Sequence, residues 1–411
     1  MKITTETLPS GLKVLIKQTS SNEIVAIDFF IGSGSGAENR KEAGLTYLTS
    51  RLFFKGTEDK NFKQIAEGFD SLGGIWGLSV ERDFSEIHLI IPKKYWKEGL
   101  SLFAEVLTMP AFPEKEVQKE KKLISQEIRS LEDNPFEFAH CAFNENIYGS
   151  HPYGKPTFGF LDTISRFSRT DLLKQYKRCF SSQNAVITFV GNLDAKEVIP
   201  LVQENFRALP SGEPSVFHTQ AFQSRGKRTV IKKSDLQQSM IFLGFRAAAV
   251  ENDDYPVLKA ISALLGGGMS SRMFENIRDK KGIGYALGSF YPTRVDTSTF
   301  VFYVGVQPER VKEAEAAFRE EIRKIQAGEI SEEELQKIKN YLTGNFYLAQ
   351  QRNKDQAYYL GWFETIGLGS DFGAVYLKNI AALKPHEIKE AAKKYFRDDK
   401  AVLLILSPEE L

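Results

Sequence analysis

The sequence predicts an α+β protein built from two similar halves. Segments rich in β-branched and aromatic residues alternate with long Lys/Glu-rich segments, as in folds whose helices cover an antiparallel-leaning sheet. The chain has 411 residues, more than one ordinary hydrophobic core accommodates. Segments of its second half also echo segments of its first half in the same order, which indicates two homologous domains.

The predicted elements follow from local composition. The strands are the segments with the highest content of β-branched and aromatic residues: 24–31, 84–91, 185–190, 240–245, 299–306 and 401–406. The helices are the longer amphipathic segments: 100–108, 116–131, 255–264, 311–327 and 331–348.

The repeat and a polar linker define the predicted domains. Segment 113–121 resembles segment 331–339, and both begin with the acidic first turn that suits a helix dipole. Segment 209–226 is polar and rich in Pro, Gly and Ser near its start, as linkers are. We therefore predict an N-terminal half at 1–208, this linker, and a C-terminal half at 227–411.

Composition excludes several classes of function. The net charge of +1 gives no reason to expect a nucleic-acid partner. No apolar run approaches the roughly 18 residues of a membrane span. Residues 1–20 alternate as a strand does, so no signal peptide is visible. These features predict a soluble protein of the cytoplasm or periplasm.

The cysteines and histidines do not form a recognisable metal or redox motif. Cys141 and Cys179 are isolated in sequence, so we expect two buried or half-buried free thiols. The five histidines are scattered, and none is spaced to share a helix face with another. Each is therefore interpreted as structural.

Segment 44–57 is the most informative stretch. It reads Gly-Leu-Thr-Tyr-Leu-Thr-Ser-Arg-Leu-Phe-Phe-Lys-Gly-Thr and resembles the metal-site helix of the pitrilysin/insulinase-like zinc metallopeptidases, which include the mitochondrial processing peptidases. In that family the segment reads roughly Gly-x-Ala-His-x-x-Glu-His-x-x-Phe-Lys-Gly-Thr. The two His bind zinc and the Glu activates water. Here Tyr47 and Arg51 stand at the His positions, and Ser50 stands at the Glu position.

These replacements remove the chemistry that the family helix performs. Zinc takes Cys, His or carboxylate ligands, and the permanent charge of Arg51 would repel the cation. Ser50 lacks a pKa suited to a general base. The sequence therefore predicts a degenerate site that binds no metal and carries no catalytic residue in this half.

The resemblance extends over nearly the whole chain. Segment 151–159 is similar to the family's His-Pro-Tyr-Gly-Arg-Pro turn, and 184–194 is similar to its strand end, which reads Asn, six further residues, Gly and then Asn or Asp. The resemblance implies two ferredoxin-like α+β halves that form a clam shell. It also implies that Glu127 matches the third zinc ligand and Glu120 a second family carboxylate. We expect Arg51 to replace the metal's positive charge and to pair with Glu127, because a partly buried carboxylate without a partner is costly.

The C-terminal half keeps more of the family's features. Gly266, Gly267 and Gly268 resemble its glycine-rich loop, and glycines allow close backbone approach. Arg278 and Tyr285 resemble an Arg-x-x-x-Gly-x-x-Tyr motif whose Arg and Tyr reach the substrate carbonyl beside the zinc site. The resemblance implies that these five residues contribute to substrate binding. A guanidinium and a phenol can both donate hydrogen bonds to a carbonyl oxygen.

Segment 73–80 departs from the family at the substrate strand. The family segment, which becomes an edge strand for extended peptide, usually has Asn and Ala where this chain has Gly77 and Leu78. We expect Leu78 to crowd a peptide and Gly77 to loosen the strand.

The asymmetry between the halves suggests a non-catalytic subunit of a heterodimeric zinc peptidase. The zinc-bearing homologous subunit would carry the metal, this chain would hold no cofactor, and the shared substrate would be extended or unfolded peptide. A purely structural or peptide-holding role is the alternative. A rearranged metal site at Glu120 and Glu127 is a third interpretation, and it requires ligands that the sequence does not visibly supply.

Overall fold

The computed structural model describes residues 3–212 and 226–410. They form two compact units, each assembled from three stretches of the chain. The first unit comprises Met1–Ile128, Lys155–His218 and Leu348–Phe372, and the second comprises Arg129–Gly154, Thr219–Tyr347 and Gly373–Leu411. Most of the predicted linker, residues 213–225, lies outside the described residues, so the boundary there stays a prediction.

The first unit is built on a mixed six-stranded sheet in the order β1-β2-β6-β3-β5-β4. Only the β2–β6 pair is parallel among its described pairings. The strands are β1 (Ile3–Thr7), β2 (Lys13–Gln18), β3 (Ile24–Ile31), β4 (Ile75–Val80), β5 (Ser85–Pro92) and β6 (Ala185–Gly191). The helices are α1 (Leu45–Arg51), α2 (Phe62–Ser71), α3 (Trp96–Thr108), α4 (Glu114–Ser130, whose last two residues fall in the second unit), α6 (Leu161–Arg166), α7 (Arg169–Cys179), α8 (Ala195–Asn205) and α12 (Asn353–Thr365).

Among the described residues, the second unit has a five-stranded sheet whose pairings repeat those from β2 to β4 of the first unit. Its order is β7-β11-β8-β10-β9, and its parallel pair is β7–β11. The strands are β7 (Lys227–Lys232), β8 (Ser239–Ala247), β9 (Leu287–Phe290), β10 (Ser298–Val306) and β11 (Val402–Ser407). The helices are α5 (Pro135–Tyr148), α9 (Tyr255–Gly266), α10 (Val311–Ala327), α11 (Glu332–Leu348, whose last residue falls in the first unit), α13 (Phe372–Ala382, whose first residue does) and α14 (Pro385–Tyr395).

Each unit takes one helix from the other half of the chain. α5 packs against β8 and β11, where the ring of Phe143 lies where a side chain on Gly244 would stand. α12 packs against β3 and β6, where Phe30 approaches Gly361 in the same way. Both glycines are needed because a methyl group at either position would overlap a ring. We predicted two contiguous halves from the sequence, and that prediction did not include this exchange of helices.

The predicted α+β class, with two similar halves, is confirmed. Every predicted strand and helix is present, and the ends agree to within a few residues. Neither cysteine forms a disulfide bond among the described residues, and Cys179 is buried while Cys141 is half-buried, as expected. Among the described residues, no helix combines the length and apolar character needed to cross a bilayer.

Candidate functional site

Helix α1 carries the three replaced positions, and its start is fixed by a buried carboxylate. Glu38 accepts hydrogen bonds from the backbone N–H groups of Gly44, at 2.9 Å, and Thr46, at 2.6 Å. Gly44 has a φ of 88°, a left-handed conformation that favours glycine. Burial raises the pKa of Glu38 to about 7, although these hydrogen bonds oppose the rise.

Arg51 lies at the centre of a closed polar cluster. Its Nε donates to Glu120 Oε2 at 2.9 Å, and its Nη1 donates to Glu127 Oε1 at 2.7 Å. Nη1 also donates to Tyr47 Oη, and that hydroxyl donates to Glu127 Oε2, both at 3.2 Å. The expected Arg51–Glu127 ion pair is therefore present, and Glu120 belongs to the same cluster.

Helix α4 presents both carboxylates on one face. Val117, Glu120 and Ile124 are its buried residues, and Glu127 continues their face one turn further at 43% side-chain exposure. Glu120 is completely buried. A buried carboxylate of this kind requires cationic partners.

Lys55 is a second cation on Glu120, and the sequence analysis did not identify it. Its Nζ lies 2.9 Å from Glu120 Oε1, close enough for charge pairing although not aligned for a hydrogen bond. The sequence feature that could have identified Lys55 is its position in the Phe-Lys-Gly-Thr stretch of the family motif. With Arg51 and Lys55 facing Glu120 and Glu127, the cluster has no net charge.

The ionisation states oppose metal binding. Burial lowers the pKa of Arg51, but the hydrogen bonds to Glu127 and Tyr47 and the charge of Glu120 outweigh it and raise that pKa above its usual value. Burial also raises the pKa of Tyr47, so its phenol stays protonated. The cluster thus offers a fixed cation and a neutral phenol where a zinc ion needs anionic or neutral lone-pair ligands.

The residues present do not fit zinc. Both carboxylates are already neutralised, and the hydroxyl of Ser50 is buried without a hydrogen-bond partner among the described residues. Across residues 3–212 and 226–410, no group of three or more His, Cys, Asp and Glu side chains is arranged to hold a metal. The third interpretation, a rearranged site at Glu120 and Glu127, has no support in this arrangement.

Strand β4 lies at the edge of the first sheet, beside α1. Trp76 stacks on Phe54 with the ring centroids 3.9 Å apart, and Leu78 packs against the core of the unit. A side chain at Gly77 would come within 2.6 Å of the His88 ring, so this glycine is explained by its cross-strand neighbour. The expected crowding of a peptide by Leu78 stays a prediction.

Arg278 and Tyr285 belong to the second unit and form a stack in which Arg278 is half-buried and Tyr285 is exposed. Arg278 lies in the last turn of a π-helical segment at Phe274–Asp279, a rare geometry that is frequent at functional sites. Its guanidinium carbon lies 4.3 Å from the Phe274 ring centre and 4.1 Å from that of Tyr285. Tyr285 is 78% exposed. Sequence reasoning missed Phe274, although a residue four positions before Arg278 on a helix is a natural neighbour.

The glycine-rich loop has a packing role in the second unit. A side chain at Gly266 would come within 2.2 Å of the backbone N of Ser289, so this position requires glycine for close approach to β9. Gly267 ends α9, and Gly268 has a positive φ of 121°. Contact of the three glycines with substrate stays a prediction.

Comparisons with known proteins decide the family. Residues 13–159 match the family model described as Insulinase (Peptidase family M16), and residues 166–342 match the one described as Peptidase M16 inactive domain. An uncharacterized zinc protease of Rickettsia bellii is 30% identical over 84% of this chain and 83% of its own length. This chain belongs to peptidase family M16.

A further M16 relative and two solved structures match this chain over nearly its full length. Zinc protease PqqE of Helicobacter pylori is 26% identical over 98% of this chain and 92% of its own. A peptidase M16 inactive domain from Pseudomonas fluorescens has a TM-score of 0.94 at 21% identity, covering 100% of this chain and 99% of its own. A protease from Helicobacter pylori has a TM-score of 0.91 at 24% identity, covering 99% of both chains. These structures share the fold.

Proposed function

We propose that this M16 protein is a non-catalytic subunit of a heterodimeric zinc metallopeptidase. It pairs with a homologous subunit that carries the zinc, and it contributes Arg278 and Tyr285 to the shared active site. It also helps to bind extended peptide. The observation that carries this proposal is the difference between its two site arginines: Arg51 is neutralised by carboxylates, whereas Arg278 has no carboxylate partner among the described residues.

The chemistry of the Arg278 stack suits a carbonyl group. A guanidinium held between two rings keeps its N–H groups in a fixed plane, and the exposed phenol of Tyr285 adds a further donor. Such donors stabilise the oxyanion that develops at a carbonyl during hydrolysis. Activation of water belongs to the partner in this proposal, because Ser50 cannot act as a base.

A structural or peptide-holding role is the second candidate, and the edge of β4 favours it. An edge strand leaves one row of backbone N–H and C=O groups without strand partners, and an extended peptide can add to that row. Ile75 at the start of β4 is 64% exposed and would pack on such a peptide. This role requires no zinc-bearing subunit.

The test begins with the tagged chain expressed in its native cells. The purified material is analysed for a co-purifying M16 homologue and for chelator-sensitive cleavage of a quenched peptide. We expect Arg278→Gln to lower kcat/KM by about 100-fold, the size of effect seen when one oxyanion donor is lost, and Tyr285→Phe to lower it as well. Arg323→Gln removes an equal charge from an exposed position of α10 and serves as the matched control.

The outcomes separate the two candidates. A partner whose activity depends on Arg278 and Tyr285 supports the shared-site proposal. Stable recovery of the chain without an M16 partner and without chelator-sensitive activity contradicts it. Peptide binding by that isolated chain then supports the holding role.

A further inference from the structure

An open pocket of about 420 Å³ lies beside the Arg278 stack, within the second unit. Its charged lining residues are two arginines, Arg278 and Arg310, and its polar lining residues include Gln238, Gln307 and Tyr285. No acidic residue is among the described residues that line it. A pocket with this lining favours a negatively charged guest.

Arg278 is the arginine with free donors. Its one hydrogen bond among the described residues runs from Nη1 to the backbone carbonyl of Tyr285 at 3.4 Å, near the outer limit for such a bond. Its Nε and Nη2 have no partner there, and the rings of Phe274 and Tyr285 hold the guanidinium plane in place. The long side chain therefore loses little further freedom when it binds a ligand.

The guanidinium nitrogens of Arg310 already donate hydrogen bonds within the protein, so Arg310 acts as a positioning residue. It donates to the backbone carbonyls of Gly282 and Lys281, and its Nε donates to Glu313 at 2.9 Å. These bonds hold the loop that leads to Tyr285 on the pocket wall. Because Glu313 pairs with Arg310, both the uncompensated positive charge of the pocket and the binding donors come from Arg278.

The loop backbone forms one side of the pocket because two of its positions are glycine. A side chain at Gly284 would come within 2.5 Å of Val304 Cγ2, so glycine lets the loop lie directly on β10. Gly282 turns the loop with a φ of 59°. The exposed amides of Gln238 and Gln307 also line the pocket and can donate to an anion without neutralising Arg278.

We infer that this pocket binds a carboxylate of a peptide ligand, either an acidic side chain or a free C-terminus. The planar fork of a guanidinium matches a carboxylate with two parallel hydrogen bonds, and such charge-assisted bonds are stronger than neutral ones. The inference rests on the proposed function, because both require Arg278 to contact a peptide. It adds that the preferred peptide carries a negative charge at this position.

The experiment measures peptide binding to the full chain alone by fluorescence anisotropy at low salt. Three labelled peptides differ only at one internal position and at the C-terminus. The first has an internal Glu and an amidated C-terminus, and the second has an internal Gln and a free C-terminus. The third, neutral peptide has an internal Gln and an amidated C-terminus. We expect about a tenfold tighter Kd for one of the two carboxylate peptides than for the neutral peptide. Which of the two shows the gain identifies the source of the carboxylate.

Variants assign the preference to the pocket. Arg278→Gln should abolish the tenfold difference, whereas the exposed control Arg323→Gln should retain it. Gln307→Glu leaves Arg278 in place but adds a negative charge at an exposed wall position, and it should remove most of the preference. Because Gln307 is exposed, this second variant keeps the test valid even when Arg278→Gln does not fold.

Three results would overturn the inference: equal affinities for the three peptides, a preference that survives Arg278→Gln or Gln307→Glu, and no binding of any peptide. The assay contains neither partner nor hydrolysis. A charge preference without an M16 partner in cells would therefore contradict only the proposed subunit role, and an active partner without a charge preference would contradict only the pocket.

Discussion

The two units each place an arginine against a tyrosine ring, but the two arginines have opposite surroundings. Arg51 lies 5.6 Å from the Tyr47 ring centre and is bound on two sides by Glu120 and Glu127. Arg278 lies 4.1 Å from the Tyr285 ring centre and has no carboxylate partner among the described residues. An Arg–Tyr pair thus belongs to a closed ion-paired cluster in the first unit, whereas in the second unit it leaves hydrogen-bond donors available.

This difference shows that counter-charges decide what an arginine does. A guanidinium whose charge is cancelled by a buried carboxylate stabilises the fold only by preventing an uncompensated charge. A guanidinium held by rings keeps its charge and its donors for a ligand. The first unit therefore holds its arginine in an ion-paired cluster, whereas the second unit leaves guanidinium donors available to a ligand.

The largest expected effect comes from converting the closed cluster back into a metal site. Positions 47, 51 and 127 converge, since the Arg51–Glu127 and Tyr47–Glu127 contacts are 2.7 and 3.2 Å. The triple variant Tyr47→His, Ser50→Glu, Arg51→His therefore places two His beside Glu127 as three zinc ligands, and its new Glu stands at the position of the family's water-activating residue. We expect it to bind one zinc ion with a Kd of about 1 μM or below, equivalent to about 8 kcal/mol, measured by isothermal titration calorimetry.

Adding Glu127→Gln to the triple variant provides the control. The loss of the third ligand should weaken zinc binding by at least about tenfold. Equal zinc affinity with and without Glu127 would show that the ion binds elsewhere, and tight zinc binding at this cluster in the native protein would contradict its description as closed.

The second effect concerns stability. Arg51→Met leaves Glu120 buried with Lys55 as its remaining cation, so we expect the free energy of unfolding to fall by about 3 kcal/mol. Urea titration followed by circular dichroism measures it. In contrast, Arg278→Gln should change the same quantity by less than about 0.5 kcal/mol, because no buried charge depends on it. Similar losses in both variants would contradict the comparison.

A third effect should appear as pH dependence of the first unit. Asp28 on β3 is fully buried, and neither of its carboxyl oxygens has a hydrogen-bond partner among the described residues. Burial raises its pKa well above the usual value. The charges of Glu86 on β5 and Asp355 on α12 raise it further, and Lys354 on α12 opposes them. His88, opposite Asp28 on β5, lies between Glu86 and Lys354.

The sign follows from the raised pKa. The protonated form is favoured in the folded state, so this contribution to stability is fully present below the ordinary carboxyl pKa. It is lost as the pH rises from that value toward the folded pKa. Asp28→Asn stays neutral, and its thermal midpoint should therefore decline less between pH 5 and about 8 than that of the native protein. Parallel pH profiles for the two proteins would refute the assignment.

The smallest effect is expected at Ser50. Its hydroxyl is buried without a hydrogen-bond partner among the described residues, and an unsatisfied buried polar group costs free energy. Ser50→Ala should raise the free energy of unfolding by up to about 1 kcal/mol, whereas Thr49→Ala, which removes a hydroxyl bonded to the Leu45 carbonyl at 2.7 Å, should lower it. A loss of stability in Ser50→Ala would indicate that this hydroxyl is satisfied in solution.

Local sequence predicted the bounds of the elements that it identified, but it identified neither α5 nor α12 and did not assign elements to sheets. Strand and helix periodicity is written in adjacent residues, so β3 and α10 begin and end where the pattern predicts. Which sheet a helix covers depends on surfaces formed by distant segments. Hence the placement of α5 on the second sheet and α12 on the first was not predictable from either helix alone.

The sequence by itself determined which residue types occupy the site. Tyr47, Ser50 and Arg51 exclude the zinc chemistry of the family through their side-chain chemistry alone. Only the tertiary structure decided that Arg51 contacts both Glu120 and Glu127, that Lys55 joins them, and that Arg278 meets two rings and no carboxylate. The physical reason is that the charge state and availability of a side chain depend on neighbours far away in the chain, which folding alone brings within a few ångströms.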